Sequence, residues 1–370
     1  MKVNFKKALS YILIICFSFS LIGCKNKNQE NSQQEESDFE IKVAQNIVDL
    51  YMKDLMQDDI QGAKKLYTKE LSEKTKDEGK SDLKVKGYNI DEISEIGKSG
   101  FFKIKVARMN LSKPITELDE CSIKVIKDSS DYKISEVKNE IEKEAFLENN
   151  TLRIRSKNNV KTNLLIDSSS FPQYAFSKDD KGNLTKLEVP RNQYSVMNFG
   201  YEGERIAVST YNKDSYIGII KTDESTSTAA GGGGTDSQGD TGQSKDKGSG
   251  QSNTNVREKP LGKDMTSLDL IQDSKVEFMT FSGEEKFILV QYNKTNVGRC
   301  IRVYNTDSGD IIKEKFEEKF DFGKVEIIFS SFDKDVLNFD VIQKDMKDKK
   351  ASEEAGKYQM TLKDFKIKRI

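Results

Sequence analysis

The chain has 370 residues, enough for two domains with separate cores, and carries 60 basic against 61 acidic side chains for a formal net charge of −1. Charged residues make up 33% of it with the signs interspersed, which excludes the basic stripe of a nucleic-acid-binding surface. It has no histidine and no tryptophan, so Ser–His and Cys–His nucleophile pairs and histidine-held metals are excluded, and an enzyme would have to run on carboxylates, lysine or tyrosine.

The N-terminus opens on a basic head, Lys2, Lys6 and Lys7. An uncharged, mostly apolar run follows over residues 8–22, and Leu21-Ile22-Gly23-Cys24 closes it. A basic head, a short apolar core and a small residue before the cut describe a secretory signal over 1–23, too short for a comfortable membrane span. The LIGC ending resembles the lipobox of bacterial lipoproteins. That resemblance implies cleavage between Gly23 and Cys24, a diacylglyceryl group on Cys24, and a lipid-anchored place on the extracytoplasmic face of the cell membrane. Two acyl chains meet the need of stable anchoring, which one chain does not. The alternatives are an ordinary secreted protein and an N-terminal membrane anchor. Residues 24–37 are polar and without apolar periodicity, and are expected to form a flexible tether.

From residue 38 the pattern turns helical. Ser37 and Glu40 match a capping box, and Ala44, Ile47, Val48, Tyr51 and Leu55 recur on one face. Asp58-Asp59 ends that pattern and can cap a second helix whose stripe is Ala63, Leu66, Tyr67 and Leu71. The period then changes to two. Tyr88 and Ile90 begin a strand; Phe102, Ile104 and Val106 alternate in the next. Cys121, Ile123 and Val125 alternate in a third, and Tyr132 and Ile134 in a fourth, with a hairpin turn at 128–131. Residues 136–147 (EVKNEIEKEAFL) read as a short linking helix.

The order of these elements resembles the NTF2-like (cystatin-like) fold. The resemblance implies helices on a curved antiparallel sheet over 38–148, with Tyr51, Tyr67, Tyr88 and Glu92 as candidates to line a ligand pocket. The alternative for the tyrosines is plain core.

From 149 to 370 the chain is β-rich. Within it, residues 222–260 form a Gly/Ser/Thr/Asp/Gln tract with too little apolar surface to offset its ordering entropy, and disorder is expected there. Removing that tract exposes a repeat. Phe199 matches Phe281, and Tyr211-Asn212-Lys213 matches Tyr292-Asn293-Lys294; a third copy begins near Ile327. The pattern FSGEEKFILVQYN…CIRVYNTDSGDII resembles blades of bacterial β-propellers. The fold class expected is therefore α+β, followed by an all-β, propeller-like or layered-sheet domain. Cys121 and Cys300 are expected as separate, partly buried thiols, with a disulfide as the alternative. The run 177–183 (SKDDKGN) looks like a calcium loop, but its acids do not fall at alternating ligand positions, so a β-turn is expected. No cofactor and no metal are expected.

These features point to a non-catalytic lipoprotein acting as a membrane-anchored binding module in a bacterial envelope, with an envelope protein or cell-wall component as partner and no nucleic acid. The alternatives are a small-ligand receptor or sensor and a carboxylate-based envelope enzyme.

Overall fold

Helix Ile41–Met56 (α1) forms because Ala44, Val48, Tyr51 and Met52 share one face, all of them buried. Its N-cap is Glu40, which makes no side-chain cap bond. The Glu40 N–H donates instead to the Tyr132 hydroxyl, and the Phe39 and Tyr132 rings pack 5.0 Å apart. The capping-box expectation is thus corrected at Glu40, while its Ser37 lies outside the described residues. Asp59 does cap the next helix, Ile60–Lys65 (α2), accepting from the Gly62 N–H at 2.8 Å. Thr68 caps Lys69–Lys74 (α3).

The computed structural model describes residues 39–75, 81–157, 159–223, 258–314 and 316–370. The signal, the lipobox, the tether and most of the 222–260 tract fall outside them. No helix among the described residues is long and apolar enough to cross a membrane.

The first sheet is an antiparallel meander of six strands in chain order: Lys84–Ile96 (β1), Ser99–Met109 (β2), Ile115–Asp128 (β3), Asp131–Glu148 (β4), Thr151–Ser156 (β5) and Asn163–Ile166 (β6). It is curled. Phe102 pairs with Ile123 and Ile104 with Cys121, so the alternation read in the sequence fills one buried face. The Tyr67–Ile134 bridge ties the turn before α3 to β4, with Thr68 N–H on Ile134 O and Ile134 N–H on Leu66 O, each at 2.9 Å.

The linking helix expected over 136–147 is strand, the second half of β4. Its Glu and Lys residues favour helix locally, but pairing on both edges overrides that preference. Lys105 donates to Glu142 at 2.6 Å, Arg155 pairs with Glu144, and Lys157 pairs with Glu140, so cross-strand charges hold an outward face that buries only Ala145. The molecule is accordingly mostly β, and the NTF2-like α+β expectation is not supported.

A short pair, Tyr174–Ala175 (β7) and Leu187–Glu188 (β8), leads into three consecutive antiparallel meanders. The first has Tyr194–Phe199 (β9), Arg205–Tyr211 (β10), Ser215–Thr222 (β11) and Gly262–Ile271 (β12). The second has Ser274–Phe281 (β13), Phe287–Lys294 (β14) and Gly298–Asn305 (β15). The third has Val325–Asp333 (β16), Val336–Gln343 (β17), Gly356–Thr361 (β18) and Ile367–Arg369 (β19). The repeat has a physical basis here: Phe199 and Phe281 both end the opening strand of a meander, and Tyr211 and Tyr292 both lie at the far end of the second strand. The 222–260 tract leaves and re-enters between the paired neighbours β11 and β12, Thr222 facing Gly262.

One buried cluster runs from α1 and β1–β3 into all three meanders, and residues from Phe39 to Ile370 make one compact unit. Polar pins cross the seam between sheets. Thr116 Oγ1 donates to Asn198 Oδ1 at 3.3 Å, Asn198 Nδ2 to Met279 O at 2.7 Å, and Tyr201 Oη to Phe281 O at 3.0 Å. Cys121 and Cys300 are both buried and free, and burial pushes each thiol up to about 12. The 177–183 run is a turn in which Asp180 accepts from the N–H groups of Gly182 and Thr185.

Candidate functional site: a cleft lined by three bulges

A period-two strand points each side chain to a predictable face, and a β-bulge breaks that rule by inserting a residue without a partner. In β1, Val85 faces Arg108 and Gly87 faces Ala107, which leaves Lys86 unpaired. In β13, Val276 faces Tyr292 and Phe278 faces Gln291, leaving Glu277. In β16, Phe329 faces Phe339 and Ser331 faces Asn338, leaving Ser330. These three bulged residues come from three different sheets and line one cleft of about 800 Å³. Bulges re-aim side chains, and three of them converge on this space.

The cleft opens at the C-terminal end of α1. Its apolar floor is built from Met56, Val276, Ile328 and the tilted pair Phe278 and Phe329, ring centroids 5.9 Å apart. Four cations line it, Lys84, Lys86, Lys275 and Arg299, against two carboxylates, Asp58 and Glu277. Lys84 pairs with Asp58 at 2.7 Å and Arg299 with Glu277 at 3.4 Å. Gln291 holds Glu277 at 2.7 Å through Nε2 while its Oε1 accepts from the Phe329 N–H at 2.9 Å, so the β13 and β16 bulges are braced by one side chain.

Lys86 and Lys275 are held differently. Lys86 Nζ donates to Met56 O at 3.1 Å and lies 5.1 Å from the Phe278 ring centroid. Lys275 Nζ lies 5.6 Å from the Tyr211 ring. Burial lowers the pKa of Lys86, with Lys84 adding to the effect and Asp58 and Glu277 opposing it.

The four residues expected to line a pocket are distributed over three places. Tyr51 and Tyr67 bond to each other through their hydroxyls at 2.9 Å, and Tyr51 is core. Tyr88 lines a different groove of about 740 Å³, where it donates to Asp49 at 3.1 Å beside the Lys53–Asp333 pair. Glu92 is exposed on a third, smaller groove and pairs with Lys103 at 3.5 Å. No group of three or more Cys, Asp or Glu side chains suited to a metal ion occurs among the described residues.

Sequence reasoning passed over Lys86, Lys275, Glu277 and Arg299. One signal was available: Gly87 directly follows Lys86 inside a strand pattern, where an isolated glycine marks a bulge or a close backbone approach.

No protein-family model matches the chain, and no curated protein does. Among solved structures it is similar to puromycin hydrolase at 5% identity, over 76% of this chain and 46% of that one, with a TM-score of 0.29. It thus spans about half the length of that protein. It is also similar to a putative 6-phosphogluconolactonase from Bacteroides fragilis (10% identity, 62% and 70% of the two chains, TM-score 0.24) and to Saccharomyces cerevisiae Sqt1 (10%, 77% and 86%, 0.26). Likenesses at such TM-scores carry no argument about what this chain does.

Proposed function

We propose that this chain is a non-catalytic binding lipoprotein of a bacterial envelope, held at the extracytoplasmic face of the cell membrane by a diacylglyceryl group on Cys24. Its binding site is the cleft lined by Lys86, Glu277 and Ser330, and its partner is an envelope protein or a cell-wall component. The observation that carries the reading is the convergence of three bulges on one space, since bulges concentrate where a fold aims side chains at a site. The lipobox at 21–24 supports the location, and the three repeated meanders support a propeller-like architecture beyond the curled first sheet.

The test is photo-cross-linking in intact cells with a benzophenone side chain in place of exposed Thr295 at the cleft. Leu184, 87% exposed and away from the cleft, is the control position. One dominant adduct from position 295, absent from 184, is expected; identical adduct patterns from both positions would refute the cleft as the partner site. In the same cells Cys24→Ala should abolish fatty-acid labelling and leave unprocessed precursor. Labelling that persists in Cys24→Ala removes the lipoprotein reading.

A second reading, a small-ligand receptor or sensor, is favoured by the cleft's volume of about 800 Å³, within the range of small-molecule pockets. No adduct at all from position 295 in abundant, folded protein would shift the reading there.

A further inference from the structure

We infer that the occupant of the cleft carries an anionic group on an apolar body, the anion meeting Lys86 and Lys275 and the body lying on Phe278 and Phe329. This rests on the reading that the cleft is a binding site, and it names the chemistry of what binds.

The charges give the first argument. Lys84 and Arg299 are answered by Asp58 and Glu277, so within the lining these four sum to zero. Among the described residues Lys86 and Lys275 make no ion pair with a carboxylate; their contacts there are a backbone carbonyl and two aromatic faces. An ammonium carries three donors, and Lys86 spends one on Met56 O. Two positive charges therefore face the cleft with donors to spare.

Energetics give the second. A half-buried ammonium with no carboxylate in direct contact is a cost to the folded state, which Asp58 and Glu277 offset only in part, and this is the sense in which burial lowers the pKa of Lys86. A methionine would cover Phe278 with the same aliphatic length and no such cost. The charge contributes when an anion arrives, because the desolvation already imposed strengthens the attraction. The floor completes the match: two phenylalanine rings, Met56 and Val276 beside the cations suit a ligand that is apolar at one end.

The experiment uses the mature chain with Cys24→Ser, free of lipid. Two probes share one ring system: 8-anilinonaphthalene-1-sulfonate, which is anionic, and N-phenyl-1-naphthylamine, which lacks the sulfonate. The anionic probe should bind at one site about tenfold more tightly than the neutral one. Lys275→Gln and Lys86→Met should each weaken the anionic probe about tenfold and leave the neutral probe unchanged. Lys181→Gln, on an exposed turn, should change neither. Lys86→Met should unfold no earlier than the parent, which separates lost binding from lost fold. Equal affinity of the two probes, or sulfonate binding that survives both lysine substitutions, would overturn the inference while leaving the cleft a binding site. Binding of neither probe would overturn both.

The source of the anion is read by displacement of the sulfonate probe. 4-Phenylbutyrate stands for a free small acid, and a hexapeptide ending in phenylalanine with a free carboxylate stands for a chain terminus, with its amide as control. Displacement by either acid supports the inference and identifies the source; equal displacement by the peptide and its amide, with none by 4-phenylbutyrate, contradicts it.

Discussion

Replacing Arg302 by methionine should cost the folded protein about 3–5 kcal/mol, the range seen when one partner of a buried ion network is removed. Arg302 on β15 has a side chain only 3% exposed and contacts three carboxylates: Glu317 at 3.0 Å, Asp269 at 2.9 Å and Asp179 at 2.6 Å. Its guanidinium also lies 5.7 Å from the Tyr292 ring. Asp269 is fully buried, and besides Arg302 it is held by the Tyr304 hydroxyl at 2.7 Å and the Lys178 N–H at 2.9 Å. Without the cation, that carboxylate keeps its neutral donors and loses its counter-charge. Lysine should not rescue, because a single ammonium cannot reproduce a planar fork spread over three acids. Glu317→Gln should cost less than about 1 kcal/mol, since Glu317 is partly exposed and two other acids remain. Urea unfolding of the three variants checks this. An Arg302→Met midpoint indistinguishable from the parent would mean that the network is not what pins the 178–179 turn, β12 and β15 together.

Gly87→Ala should be the next most damaging single change, by about 1–3 kcal/mol, as expected for overpacking a close-fitted interior. A Cβ at Gly87 would stand 2.4 Å from Tyr201 Oη and 2.6 Å from Thr280 Oγ1. Neither atom can swing away freely: Tyr201 is buried and its hydroxyl is committed to Phe281 O. The new methyl must therefore separate β1 from the first two meanders, where the polar pins cross the seam. Tyr201→Phe removes the atom nearest the clash, so in a double-mutant cycle the pair should be less destabilised than the sum of the singles by about 1 kcal/mol. Strict additivity in thermal or urea unfolding would place the damage somewhere other than this contact.

The fold was legible wherever burial followed a simple period. Phe102, Ile104 and Val106 alternate in the sequence and all three are buried, because β2 lies between two neighbours with one face on the core. The Phe199/Phe281 and Tyr211/Tyr292 matches were legible because the first two meanders repeat the same strand ends. The second half of β4 was not, since its outward Glu and Lys residues favour helix and only pairing with β3 and β5 holds them extended. The cleft was hidden for a different reason. A bulge cancels the periodicity on which a sequence reading depends, so Lys86, Glu277 and Ser330 carry no pattern of their own, and nothing local says that three separate sheets bring them together. Tyr51 and Tyr67 stood between pocket lining and plain core because an aromatic at helical spacing serves either; in the structure their hydroxyls meet at 2.9 Å and their rings lie 5.6 Å apart.

The way β11 meets β12 has a consequence for how this chain can change over generations. The two strands are hydrogen-bonded neighbours, and the point where they part is clamped from outside: Asp223 N–H bonds Leu261 O, Leu261 N–H bonds Leu164 O, and Glu258 accepts from Leu164 N–H and Arg153. Because the chain on either side of this point is fixed by the sheet, a polar stretch inserted here adds closure entropy to the folding free energy, about 0.6 kcal/mol for each doubling of loop length. Insertions and deletions between those clamps are nearly invisible to selection for stability. Related chains can therefore differ widely in length at this point and agree in fold on either side, and the hairpin offers a natural splice point for foreign sequence.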